Sequence, residues 1–317
     1  MKSLSRIRIQ VPGTSANLGP GFDVLGMAMK IYNRFVFDFG PDLEYKASYT
    51  DGSPLPFSES EDLVFSSYKE YFRIFLNSVG FPEYHCKMDL DLPLKGGLGS
   101  SASAVVAGFL LAREVHRNLY PQIPIPTEGR FLYELAMQEG HPDNTSPAYL
   151  GGFVLSYFDS PGHLSYYKKK FPNSVAIYAF IPKCEVATHE SRKILPSSYS
   201  PEDLIFNMTR IATWIQFFET RRFSDLRLAL QDRMHTPYRL PKIQELQNIL
   251  PSLERKGLGY CLSGSGPTLL VFMERKRVSQ IEKSLRQELE NVFPGDPDGF
   301  IFRRLNTDHT GAKVSLL

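Results

Sequence analysis

The chain has 317 residues, with 36 Lys and Arg against 34 Asp and Glu, a net charge of +2. So small an excess argues against nucleic acid or an anionic membrane as partner. The 42% hydrophobic and 22% charged content excludes a disordered chain. The length allows two domains, expected over 1–160 and 161–317. Cys86, Cys184 and Cys261 lie far apart with no CxxC pair, so neither a disulfide framework nor a zinc site is indicated, and a reducing cytoplasm is the expected location. The opening MKSLSRIRIQV has basic residues but no apolar core of a signal peptide. The apolar run from Ala104 to Ala112 is too short to cross a bilayer.

In chain order, Arg6 to Val11 and Tyr32 to Phe39 alternate as half-buried strands do. Asp62 to Val79 shows helical spacing, with Gly80 as the expected C-cap. A short strand, Cys86 to Leu92, leads into a glycine-rich turn and a helix from Ser101 to Arg117. After the proline-rich PQIPIP comes a second helix ending near Glu139. Gly151 to Phe158 and Leu164 to Phe171 form a predicted hairpin. The run Lys168, Lys169, Lys170 is read as a solvated strand end rather than a nucleic-acid patch. A strand (Val175 to Ile181), a helix (Glu202 to Glu219) and a helix ending at Lys256-Gly257 follow. Strands Gly259 to Ser263 and Thr268 to Phe272 flank Gly264-Ser265-Gly266-Pro267; a helix (Val278 to Val292) and a strand (Phe300 to Leu305) come last. The mixed order indicates an α+β fold.

The chemistry concentrates between Pro93 and Ser103: Pro93, Leu94, Lys95, Gly96, Gly97, Leu98, Gly99, Ser100, Ser101, Ala102, Ser103. Glycines allow positive φ and inward-pointing N–H groups, and a helix N-terminus adds unpaired donors and a positive dipole end. Triphosphate oxygens suit such a place, and a serine hydroxyl can ligate Mg²⁺. A plain strand-to-helix turn would need fewer glycines. Gly97, Gly99 and Ala102 satisfy a dinucleotide-binding spacing, but no acidic strand end follows about twenty residues later. GxxxxGK[ST] does not occur.

PLKGGLGSSASA resembles the second motif of the GHMP kinases. VPGTSANLGPGFDVLG (Val11 to Gly26) and CLSGSGPTLLVF (Cys261 to Phe272) are similar to that family's first and third motifs, in the same order. EGHPDNTSPAYLGG, THESR and HTPYR further resemble its homoserine kinase branch. The resemblance implies a two-domain fold, with an N-terminal domain like ribosomal protein S5 domain 2 and a ferredoxin-like C-terminal domain. It also implies phosphorylation of L-homoserine by ATP with Mg²⁺, on the threonine-biosynthetic path, and a homodimer. Rival readings are another GHMP specificity, such as mevalonate kinase, and a catalytically silent ligand sensor. Mevalonate has no ammonium for Asp23 to accept.

By resemblance, Asp23 and Asn17 take the substrate ammonium, and Arg192 and Arg239 fork its carboxylate. Asn144, with His141 beside it, orients the hydroxyl. Thr188 adds a hydroxyl, and Gly264 belongs to the substrate-binding set. Ser101 and Glu139 hold Mg²⁺, with Glu134 as the other candidate carboxylate. Asp143 is a candidate general base, set against an Asn144 that only orients the nucleophile. Relatives tend to have Asn before the Leu-Val pair where this chain has Asp62, and Ala and Ser where it has Ser265 and Thr268. Without the resemblance, Asn17 and Asp23 read as turn caps, Arg192 and Arg239 as surface arginines, His141 as a loop histidine and Asp143 as a helix N-terminal residue. Trp214, Phe217 and Phe218 read as core.

Overall fold

A computed structural model describes residues 5–41, 43–184, 188–292 and 299–317. The first half runs β1 (Arg6–Ala16), β2 (Leu25–Asp38), β3 (Lys46–Tyr49), α1 (Leu63–Phe75), β4 (His85–Leu90), α2 (Ser100–Leu119), α3 (Glu128–Glu139), α4 (Pro142–Leu150), β5 (Phe153–Ser160) and β6 (His163–Lys169). The second runs β7 (Val175–Pro182), α5 (Thr188–Lys193), α6 (Pro201–Thr220), α7 (Phe223–Ala229), α8 (Thr236–Arg239), α9 (Gln244–Gln247), α10 (Leu250–Arg255), β8 (Gly259–Leu262), β9 (Leu269–Glu274), α11 (Val278–Val292), β10 (Phe300–Leu305) and β11 (Lys313–Leu316).

The first sheet follows the order β11-β1-β2-β4-β3, and the β5–β6 hairpin joins it through β2. The expected division at residue 160 falls inside that hairpin, which stays whole, and β11 returns from the far end of the chain to pair with β1. The second sheet has the order β10-β7-β9-β8, every pairing antiparallel. Fourth-first-third-second is the ferredoxin-like order, so the fold is the two-part α+β arrangement that the motifs implied.

Three apolar clusters hold these layers. One lies between the first sheet and α1, α2 and α3, rich in Tyr68, Tyr71, Phe109 and Phe131. A second joins the two halves, where Met27 and Leu98 meet Trp214, Phe217 and Phe272. The third packs α10 and α11 under the other face of the second sheet. All eight residues of β7 are consequently buried, a strand covered on both sides. Trp214 and Phe217 are core, as read from the sequence.

Several boundaries differ from the sequence reading. β1 continues past Pro12 to Ala16 because a register shift between Pro12 and Gly13 absorbs the residue that lacks a donor. α1 stops at Phe75 with Leu76 as its C-cap, five residues before Gly80. The strands β3 and β11 and the short helices α5, α7, α8 and α9 were not foreseen as elements, whereas Asp143 does stand in the first turn of a helix, α4. β6 is an edge strand, and Lys168 donates to the carbonyls of Leu150 and His309 rather than standing free.

One buried polar side chain joins the first sheet to the glycine loop. Asn33, on β2, accepts from Leu92 N (3.1 Å) and donates to Ser103 Oγ (2.8 Å), whose hydroxyl in turn donates to Ser100 O (2.7 Å). The entry and exit of the loop are thereby fixed by one amide. Asn33→Ala should lower stability by about 1–3 kcal/mol, the cost of orphaning buried groups. Calorimetry giving an unchanged melting temperature would remove this amide from the account of the loop.

Candidate functional site

The glycine loop sits between two neighbours that leave no room for side chains. Gly97 has φ +76°, and a Cβ there would lie 2.7 Å from the carbonyls of Ser263 and Gly266. Ser263 Oγ donates to Gly97 O (2.6 Å), and Thr268 Oγ1 donates to Gly96 O (2.5 Å), so the third motif grips the second by its backbone. Thr268 thus supplies a hydroxyl to the loop. Gly99, φ +70°, is the N-cap of α2; its Cβ would meet Thr14 Oγ1 at 2.1 Å. Its missing side chain therefore accommodates the first motif as well as any phosphate.

These loops enclose a cleft of about 150 Å³ lined by all three motifs and by α4. Lys95, Gly96, Gly97, Gly99, Ser100 and Ser101 line it. Leu98, Ala102 and Ser103 do not, being fully buried beneath the loop, and Pro93 is likewise absent from the lining. Leu94 is 43% exposed and faces an adjoining groove of about 410 Å³, which shares Lys95, Ser100 and Ser101 with the cleft. Phe57, Leu63, Val64 and Leu90 make that groove largely apolar. Asp62 lies at its edge, buried, capping α1 through Val64 N (2.7 Å) and Phe65 N (3.2 Å) and accepting from Tyr45. The exchange of Asn for Asp is met locally by capping.

On one wall, Ser101 Oγ donates to Glu139 Oε1 at 2.5 Å, across from the last turn of α3 to the first of α2. Burial raises the Glu139 carboxyl above its ordinary value, with the serine bond opposing. A half-buried carboxyl beside a hydroxyl, with no cationic side chain among the described residues bonded to it, is suited to a hard divalent ion. Glu134 points elsewhere: it pairs with Arg130 and borders a separate surface groove with Glu70 and Arg73.

α4 presents the next group. His141 Nδ1 contacts Asp143 Oδ1 at 2.5 Å. Burial alone would lower the His141 pKa, but its bond to Asp143 and the nearby Asp23 and Glu139 charges raise it. Asp143 is buried, and its Oδ1 also lies 3.5 Å from Asn144 Nδ2. Thr14 Oγ1 donates to Asn144 Oδ1 (2.8 Å), which fixes the amide's orientation at the cleft. Asp23, His141 and Asp143 bring ligand atoms within 4.8 Å of one another, a second conceivable metal set. Asp23, however, is already neutralised by an arginine, so Ser101 with Glu139 fits a cation better.

The opposite wall is cationic. Arg192 grips Asp23 in a two-pronged pair, Nη1–Oδ2 2.9 Å and Nη2–Oδ1 2.8 Å. Arg239 is 4% exposed and donates to Ser191 O (3.2 Å) and Gly264 O (3.3 Å). Burial lowers its pKa and the Arg192 charge lowers it further. Both guanidiniums stand over the Phe22 ring, at 5.2 and 5.3 Å. Asn17, at φ +70°, donates to Gly264 O (3.0 Å) and accepts from Asp23 N (3.1 Å), so its turn-forming role is real. The side chain of Thr188 lies outside the described residues. Phe22, Thr14 and Ser191 were not singled out from the sequence, although the first two stand inside the first motif.

Residues 63–152 match the family described as GHMP kinases N terminal domain, and residues 215–291 match GHMP kinases C terminal. The chain is thus a GHMP kinase by its fold and its three converging loops. It is 34% identical over 315 residues to a homoserine kinase of Clostridium botulinum, covering 98% of each chain. A putative homoserine kinase of Listeria monocytogenes superposes with a TM-score of 0.73 at 27% identity, over 98% of this chain and 99% of that one. The fold is also that of the Cytophaga hutchinsonii homoserine kinase structure, TM-score 0.80 at 23% identity, with 99% of each chain covered. The chain belongs to the homoserine kinase family.

The geometry separates the two acidic candidates for the metal. Glu139→Gln keeps size but removes charge, and a charge-assisted contact is worth about 1.5–3 kcal/mol. Turnover should fall roughly ten- to a hundredfold, since 1.36 kcal/mol is tenfold in rate, while Glu134→Gln leaves it near native. Steady-state assays showing the reverse would move the metal to Glu134.

Proposed function

We propose that this protein transfers the γ-phosphoryl group of ATP to the hydroxyl of L-homoserine, giving O-phospho-L-homoserine for threonine biosynthesis. The carrying observation is the Asp23–Arg192 pair beside a second, buried guanidinium. Homoserine brings one ammonium, one carboxylate and one hydroxyl. In its absence Asp23 and Arg192 satisfy each other, and Arg239 has a low-dielectric site with carbonyls as hydrogen-bond partners. The zwitterion supplies the missing anion: its carboxylate lies between Arg192 and Arg239, and its ammonium takes Asp23. Planar forks suit a carboxylate better than ammonium groups do.

ATP places its phosphates on the N–H groups at the start of α2, with its base in the apolar groove beyond Leu94. Ser101 and Glu139 would hold Mg²⁺, which would supply neutralisation of charge on the phosphoryl oxygens. Asn144, its amide set by Thr14, orients the substrate hydroxyl. That oxygen bonds to the γ-phosphorus as the bond to the β-phosphate oxygen breaks. Its proton passes to a phosphoryl oxygen and then to solvent. Asp143 serves His141 rather than the nucleophile, because its oxygen already contacts the imidazole. Positioning and charge neutralisation carry the catalysis.

The same reading places the enzyme in the cytoplasm, with Cys86, Cys184 and Cys261 as free thiols. Among the described residues no helix is long and apolar enough to cross a membrane. It also makes the enzyme a homodimer. Leu204, Ile205, Met208 and Ile215 share the outer face of α6 at 42%, 60%, 69% and 64% exposure, while Trp214 and Phe217 fill its inner face. A helix apolar on both sides calls for a neighbour on each. Sedimentation should give a dimer for the native chain and monomers for Met208→Glu; a native monomer would remove this surface.

Substrate identity is tested at Arg239. Arg239→Lys should raise the KM for homoserine and leave the KM for ATP nearly fixed. Analogues without the carboxylate should be poor substrates of the native enzyme yet lose little more in the variant, because one contact cannot be removed twice. Independent penalties would mean that Arg239 does not hold the carboxylate.

A further inference from the structure

Asp232, Asn207 and His235 form a polar cluster that the phosphoryl-transfer reading does not use, although His235 opens the segment ending in Arg239. The Asp232 and His235 side chains are wholly buried, and Asn207 is 3% exposed. Asp232 accepts from the backbone N–H groups of Met234 (2.8 Å), His235 (3.0 Å) and Thr236 (2.6 Å) and from Asn207 Nδ2 (2.8 Å). Burial opposes its ionisation, yet the hydrogen bonds from Asn207 and from the Thr236 and Met234 amides keep its pKa below the usual range. One carboxylate therefore organises the turn that enters α8, the helix carrying Arg239.

His235 reaches from that turn into the first motif. Its Nε2 donates to Gly19 O at 2.8 Å, and Asn207 Nδ2 lies 3.4 Å from Pro20 O. Gly19 has φ +80°, and a Cβ there would lie 2.3 Å from Leu230 O, so this part of the loop is pressed against the second half of the protein. The His235 ring stands 5.6 Å from the Phe22 ring, the same ring that lies beneath Arg192 and Arg239. Asp23 follows directly. Burial lowers the His235 pKa, consistent with a neutral ring that donates from Nε2.

The structure assigns His235 as a positioning residue for the amino-acid pocket: it clamps Gly19 O and seats Phe22, and so sets where Asp23, Arg192 and Arg239 converge. Asp232 and Asn207 hold it in place. This rests on the proposed reading of the pocket. Without the clamp the loop keeps its residues but loses their spacing, which penalises the zwitterion and spares the nucleotide bound on the far wall.

The experiment measures both KM values, kcat and thermal stability for the full chain and its variants. His235→Leu should raise the homoserine KM roughly ten- to a hundredfold, the effect of orphaning a buried acceptor, with the KM for ATP and kcat near native. His235→Gln, whose amide N–H falls near the place of Nε2, should recover most of that loss. Phe22→Leu, at a half-buried position, should raise the homoserine KM selectively and carries the test if His235→Leu does not fold. A lower melting temperature with a native homoserine KM in His235→Leu, or in Phe22→Leu where that variant decides, would overturn the assignment. Arg239→Lys is run alongside: if it leaves the homoserine KM unmoved, the reading of the pocket fails, whereas a native KM in the His235 variant beside a raised one in Arg239→Lys fails only the clamp.

Discussion

The close approach of three backbone turns is the constraint on which the site depends. The glycine loop touches the 263–266 turn at Gly97 and the end of β1 at Gly99, and at neither place is there space for a Cβ. Thr14 N donates to Leu98 O (2.9 Å) and Gly264 N to Ala16 O (3.1 Å), so each turn is held by a main-chain bond to a segment remote in sequence. Side-chain hydroxyls from Ser263 and Thr268 complete the attachment by donating to Gly97 O and Gly96 O. The donors at the start of α2 are consequently presented in a rigid setting, which is what electrostatic preorganisation requires.

Around that junction the charges are distributed unevenly. One wall carries Glu139, Asp143 and a histidine whose proton affinity they raise; the other carries two guanidiniums over one aromatic ring with a single carboxylate between them. Two cations so close, one of them nearly buried, leave the wall one anion short. In the proposed reading the carboxylate of an amino acid answers the guanidiniums locally, while its ammonium takes Asp23 and leaves the net charge of the cleft unchanged. Asp23, as a partner for the ammonium, is then what favours an amino acid over a simple hydroxy acid.

The interior between the two halves is apolar, with Met27, Leu98 and Phe153 in one cluster with Trp214, Phe217 and Phe272. The return of β11 to β1 ties the end of the chain to its beginning. The cleft therefore forms between parts that are packed together, and side chains from α2, α3, α4, α5 and α8 line it.

Local sequence determined the elements whose signal is periodic or punctuated. α11 and β10 fall at their expected residues, and the glycine loop with its helix is placed by composition alone. The resemblance of three segments carried the family and most site residues, because those side chains stand in short contiguous runs. What it could not supply was partnership. Asp23 and Arg192 are 169 positions apart, and only the fold shows that they bond to each other. Glu139 and Glu134 look alike along the chain, but helical rotation sends one to Ser101 and the other to Arg130. β3 and β11 were missed because a four-residue strand has little pattern of its own and exists through the neighbour that receives its hydrogen bonds. Burial, pairing and proton affinity depend on atoms brought together from distant parts of the chain, and those the tertiary structure alone decides.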